Sequence, residues 1–209
     1  MELQLGREGG SVPSRLGRWA IWAIVVLGAT LICMVVVDRP LAELAASHQL
    51  HLRGIQFVIG MPGLLLGLAL IAPMLNQKMP NPALKHLILL CSQAIIWTAA
   101  AVELVLKRIF GRAGPYEWLG HGDFSFHWFR GSVRPWQSMP SGEAALLAAA
   151  IGVLWVALPR WRWFYIGVGV LEAVGLVWLN WHFMSDVVAG AGFGIVGAGL
   201  AVSNANRQK

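Results

Sequence analysis

Three short segments hold residue types able to handle a phosphoryl group. Residues 107–115 read KRIFGRAGP, residues 139–143 read MPSGE, and residues 181–186 read WHFMSD. Lys107 and Arg112 offer positive charge and several hydrogen-bond donors to phosphate oxygens. Pro140, Ser141 and Gly142 lead into a helix, whose first N–H groups make an anion site. His182 is a nucleophile able to attack phosphorus. Asp186, one helical turn further on, is spaced to hold the second ring nitrogen and fix the tautomer.

These segments must be positioned by membrane helices. The chain has 209 residues, of which 57% are hydrophobic and only 12% charged, against roughly 25% charged in an ordinary soluble domain. A hydrocarbon core about 30 Å thick needs roughly 20 apolar residues in a helix. Six stretches answer to that: 19–37, 57–75, 87–106, 143–159, 163–181 and 185–203. The sequence therefore predicts an all-α, six-span bundle over 19–203, with polar tails at 1–18 and 204–209 and a site-bearing part at about 87–190. The run 19–37 is too long for a signal-peptide core and lacks a small-residue cleavage site before Asp38, so it reads as a retained span. Residues 38–56 and 107–142 read as the two long connectors. Glycines 190, 192, 194, 197 and 199 suit close helix approach in the last span. Cys33 and Cys91 fall within apolar stretches and act there as small hydrophobes.

The net charge of +6 does not indicate nucleic acid, because the basic residues sit at the ends of apolar stretches, as a topology signal does. With both termini cytoplasmic, the inside holds nine Lys and Arg residues (7, 15, 18, 78, 85, 160, 162, 207, 209) and the outside holds Arg39 and Arg53. The segment 107–142 adds Lys107, Arg108, Arg112, Arg130 and Arg134 to the outside. A basic cluster against the topology bias calls for an anionic ligand.

In this order and on these spans, the segments resemble the type 2 phosphatidic acid phosphatase superfamily, whose pattern is K-x6-R-P, P-S-G-H and S-R-x5-H-x3-D. The resemblance covers roughly 57–203 and is strongest over 182–190, HFMSDVVAG. It implies a six-helix membrane fold and a phosphohistidine intermediate on His182, oriented by Asp186. It also implies a phosphate held by Lys107, Ser141 and the Gly142 amide; Arg112 is a further donor on its residue type and place alone, and with Arg108, Arg130 and Arg134 it is near enough in sequence to stand in for missing motif arginines. The chain departs from the pattern at Gly114, where the family has Arg, and at Glu143, where it has the His that protonates the leaving group. It departs again at Gly175 and Leu176, in place of Ser and Arg. Glu143 would have to act as the proton donor instead.

Simpler roles stand beside these. Lys107 and Arg112 can snorkel at a span end, and Ser141 is a good N-cap. Glu103, one turn before Lys107, is expected to pair with it; Glu172 in the fifth span needs a partner of some kind. The His121, Asp123 and His127 spacing is too loose for a metal site. The tryptophans flank span ends as an aromatic belt does. The leading expectation is a phosphatase or phosphotransferase acting on a lipid phosphate or pyrophosphate at the outer face of a bacterial-type inner membrane, without cofactor. The alternative is a non-catalytic member that binds an anionic lipid headgroup or a partner membrane protein, and a transporter built on Glu103 and Glu172 ranks last.

Overall fold

A computed structural model describes residues 15–48, 61–75 and 80–207. Its first helix is longer than the apolar run that announces it. α1 (Arg15–Ile32) passes through a π-helical stretch, Cys33–Val37, into α2 (Asp38–Ser47). The expected connector at 38–56 is thus helical through Ser47. Asp38 and Arg39 read as the end of an apolar span. The helix continues because Ala42 and Ala45 form a buried face and Asp38 itself is buried. Pro40 has no N–H to give to the preceding turn, and the widened π-helical turn lies just before it.

α3 (Met61–Leu75) covers most of the second expected span; residues 57–60 lie outside the described residues. α4 (Pro82–Ala101) starts at Asn81, whose side chain accepts from the Ala83 and Leu84 amides, with Pro82 pre-set in the first turn. It runs through the π-helical Val102–Leu106 into α5 (Lys107–Phe110). Gly111 ends it in the left-handed region, at φ 53°. There a side chain would collide with the His127 carbonyl, so the chain can fold back at this point only through glycine.

α6 (Pro115–His121) is a short helix in the following loop. α7 (Gly142–Ala157) and α8 (Arg162–Trp178) are joined through the 3-10 turn Pro159–Trp161, and α9 (Met184–Arg207) closes the bundle. The fifth span stops at Trp178 rather than 181. Asn180 takes a positive φ of 55° there, and the turn delivers His182.

α9 packs most extensively on α7, then on α4 and α1. The contact is built from small residues. A Cβ at Gly190 would strike the Ser141 carbonyl, and one at Gly194 the Ala145 carbonyl. The core beside it is Ala69, Ala94, Ile95, Ala99, Leu146, Ala149, Val153, Ala198 and Ala201. With little apolar bulk between them, the helices are held by close backbone approach, as in membrane bundles. Outward faces are strongly apolar: Ile24 is 70% exposed and Val35 82%. Among the described residues three helices, Gly17–Ser47, Pro82–Phe110 and Met184–Arg207, are long and apolar enough to cross a bilayer, and Gly142–Ala157 is a shorter apolar helix. The protein is an all-α membrane protein.

Candidate active site

All three sequence segments meet at one end of the bundle. Ser141 caps α7, its hydroxyl accepting from the Ala144 amide at 3.3 Å. Its own N–H donates to the Asp186 carbonyl at 3.0 Å, which ties the start of α7 to the first turn of α9. Gly190, where any side chain would meet Ser141, allows that approach.

His182 lies between two carboxylates and is buried. Its Nε2 is 3.1 Å from Glu143 Oε2, which also accepts from the Ser141 hydroxyl at 3.4 Å. On the other side Nδ1 is 3.4 Å from Ser138 Oγ and 3.8 Å from Asp186 Oδ2. Ser138 donates to that same Asp186 oxygen at 2.6 Å, and the Phe183 amide donates to it at 3.0 Å. The expected contact from Asp186 to the ring is therefore shared with a serine that the sequence reading did not single out. Burial opposes charge on the imidazole, but the hydrogen bonds and charges of Asp186 and Glu143 outweigh it and raise the pKa to about 9. At neutral pH the ring is an imidazolium, and Nε2–H donates to Glu143.

Lys107 pairs with Glu103 at 2.7 Å, as its spacing predicts. Both reach the start of α7: the space a Cβ would take at Gly142 is bounded by the Glu103 carboxylate and Lys107 Nζ. Lys107, Ser141, Gly142, Glu143, His182 and Asp186 thus line one place, where the first-turn N–H groups of α7 have no acceptor within their own helix.

Arg112 lies elsewhere than expected for a phosphate ligand. It is wholly buried, and its guanidinium is shared between Asp186 Oδ1 at 2.5 Å and Asp38 Oδ2 at 2.8 Å. Ser185 completes the cluster, accepting from Arg112 at 2.6 Å and donating its amide to Asp38 at 2.9 Å. The rings of Phe124 and Phe183 lie 4.9 and 4.6 Å from the guanidinium carbon. Arg39 lies 4.4 Å from the same Phe124 ring, so the 122–126 loop is fastened to α2. Arg130 and Arg134 are exposed. Leu176, at the family's arginine position, is fully buried among Ala144, Val177 and Val187. His127 pairs with Asp123 at 2.8 Å, and His121 lies 3.9 Å from Glu117. These residues brace the loop on itself.

Asp38 is the second site-end residue that the sequence reading missed. Its signal was present: a carboxylate at the edge of an apolar helix needs a partner. Ser138 stood one residue outside the segment that drew attention.

The sequence model of the PAP2 superfamily matches residues 85–209. Two curated relatives are each 34% identical over 90 residues: the lipid A 1-phosphatases of Rhizobium etli, strain CFN 42, and Rhizobium johnstonii, strain 3841. Each match takes in 43% of this chain and 38% or 36% of the relative, so the chain spans well under half the length of either. A crystal structure, that of the first transmembrane PAP2 type phosphatidylglycerolphosphate phosphatase from Bacillus subtilis, superposes with a TM-score of 0.52 at 18% identity. That superposition covers 89% of this chain and 96% of the other, and it speaks for the fold alone.

Proposed function

The chain belongs to the PAP2 superfamily, and from that premise we propose that it removes phosphate from a membrane lipid phosphate or pyrophosphate through a phosphohistidine on His182. The observation that carries this is the placement of His182 Nε2 against Glu143, beside Lys107 and the start of α7. The named activities of the relatives, a lipid A 1-phosphatase and a phosphatidylglycerolphosphate phosphatase, belong to the same substrate class.

In this reading Lys107, the Ser141 hydroxyl and the Gly142 amide hold the phosphate oxygens. As the phosphate enters, the Nε2 proton passes to Glu143, and the freed lone pair forms the P–N bond. The lipid oxygen leaves with its electron pair and takes the proton from Glu143. Water then attacks phosphorus and gives a proton to Glu143. The P–N bond breaks toward Nε2, which recovers that proton as phosphate departs. Nδ1–H stays with Ser138 and Asp186 throughout. Arg112 acts one step back, as a positioning residue that holds Asp186.

Purified protein given a panel of lipid phosphates and pyrophosphates in mixed micelles should release phosphate, and His182→Ala should lose at least about 10^3-fold. Equal release by the two proteins would sink the phosphohistidine. A second reading, headgroup binding without turnover, draws on Leu176, which leaves an apolar residue where the family has an arginine. No release from any lipid, together with saturable binding to them, would favour it.

We further propose that the site faces outward from a bacterial-type inner membrane, with both termini cytoplasmic, as the nine-to-two distribution of Lys and Arg outside 107–142 suggests. In a Cys33→Ala, Cys91→Ala background, Ser125→Cys should react with an impermeant thiol reagent from the outside of intact cells. Labelling only after the cytoplasm is opened would reverse the topology.

A further inference from the structure

We propose that Asp38, at the start of α2, is a positioning residue of the reaction: it draws one arm of the Arg112 guanidinium away from Asp186 and so keeps that carboxylate turned to the His182 ring. This rests on the reading of His182 as the nucleophile. Asp38 lies outside residues 85–209, over which the family match runs. Its side chain is nevertheless wholly buried against the turn that carries His182.

Both Asp38 oxygens are spent on that turn and on Arg112. Oδ1 accepts from the Ser185 amide at 2.9 Å. Oδ2 accepts from Arg112 Nη2 at 2.8 Å and from the Ser185 hydroxyl. The Ser185 amide belongs to the first turn of α9, where N–H groups have no acceptor within their own helix. Asp38 supplies one from a distant part of the chain, and the positive end of the helix dipole strengthens the hold. Asp186 is the next residue. Arg112 Nη1 takes its Oδ1 at 2.5 Å. Ser138 and the Phe183 amide take its Oδ2, the oxygen 3.8 Å from His182 Nδ1.

Charge matters as much as place. A guanidinium commonly grips a single carboxylate through two parallel hydrogen bonds. Asp38 prevents that here, because Nη1 goes to Asp186 and Nη2 to Asp38. One positive charge thus serves two anions, and a net negative charge remains behind His182 Nδ1. The other charged groups about the ring are Glu143 on α7 and the Glu103–Lys107 pair beside Gly142. Glu172 on α8 is near enough to Glu143 for their charges to interact. Without Asp38 the Arg112 fork can close on Asp186 alone. Asp186 would then support the imidazolium less, and the ring would give up its proton at lower pH.

The test is Asp38→Asn in the full-length protein, which keeps the shape and an acceptor and removes the charge. Phosphate release is followed against pH with a lipid phosphate that the wild type hydrolyses. The alkaline limb of kcat/KM should begin roughly one pH unit lower than in the wild type. On the plateau kcat should fall about 10–100-fold, the cost of a small misplacement of the reacting groups, with KM little changed. Asp38→Glu keeps the charge and should keep the limb near pH 9. NMR titration of the His182 ring, identified by its absence from His182→Ala, should show the same downward shift in Asp38→Asn without any turnover. A merely structural Asp38 would lower the melting temperature and leave the limb and the ring titration at their wild-type positions, and that result overturns the proposal. Should Asp38→Asn fail to fold, Asp38→Glu decides: its extra methylene displaces the carboxylate within a wholly buried cluster, so a wild-type kcat there overturns the proposal. Phosphate release that survives His182→Ala sinks the phosphohistidine reading. Release that needs His182, with an unmoved limb in Asp38→Asn, sinks this inference alone.

Discussion

Replacing Arg112 with alanine is expected to destabilise the protein by about 3–5 kcal/mol, the usual cost of leaving a buried charge without its partner. The guanidinium is the counter-ion of both Asp38 and Asp186, and every member of that cluster is wholly or almost wholly excluded from solvent. Its loss would leave two buried carboxylates facing each other, with Ser185, Ser138, backbone amides and, for Asp186, the His182 ring to hold them. Arg112→Lys should recover only part of the loss, because a single ammonium cannot fork between two carboxylates as the planar guanidinium does. Thermal unfolding in detergent checks this, and the informative comparison is the double substitution. Arg112→Met with Asp38→Asn removes one charge of each sign and should be less damaging than Arg112→Met alone. If the single and double variants unfold together, Asp38 and Arg112 are not the pair that joins the first helix to the site.

That pair also shows where sequence reading stops. Lys107, Ser141, Gly142, His182 and Asp186 were legible because each lies in a short segment whose spacing has a chemical meaning, and the bundle brings those segments to one end. Asp38 and Arg112 are 74 residues apart. No local period joins them, and only the packing of α2 against the α8–α9 turn does. Arg112 was misplaced for the same reason. A lone basic residue between Lys107 and Pro115 reads as a phosphate ligand until Asp38 is known to reach it. Helix lengths erred in one direction at α2, where a polar residue stood for a helix end although tertiary pairing kept Asp38 inside. Glu103 and Lys107 were legible as a pair because four residues along a helix put two side chains on one face.

The last expected result concerns Glu143, where the family's proton donor is a histidine. From the sequence alone, an ionised carboxylate next to Lys107 should fail to protonate a leaving group and should repel the phosphate. The site suggests a way around the first difficulty. Glu143 accepts the Nε2 proton of an imidazole raised to about 9, so it need not be protonated at rest. It can receive its proton from His182 as Nε2 attacks phosphorus. Catalysis then requires one proton shared by the His182–Glu143 pair. That proton is present below pH 9 and is lost as pH rises through about 9. The kcat/KM profile, which reports the free enzyme, should therefore hold up to about pH 9 and fall above it. Glu143→Gln removes the relay and should lower phosphate release by about 10^2–10^4-fold. It also removes a carboxylate that raises the His182 pKa, so any residual activity should have its alkaline limb shifted to lower pH. Glu143→His, which restores the family's residue, should recover part of the loss. If Glu143→Gln releases phosphate faster than the wild type, the carboxylate is an obstacle to the incoming phosphate rather than a carrier of the proton. The chain would then be a hindered phosphatase in which Nε2 works only when Glu143 is out of the way.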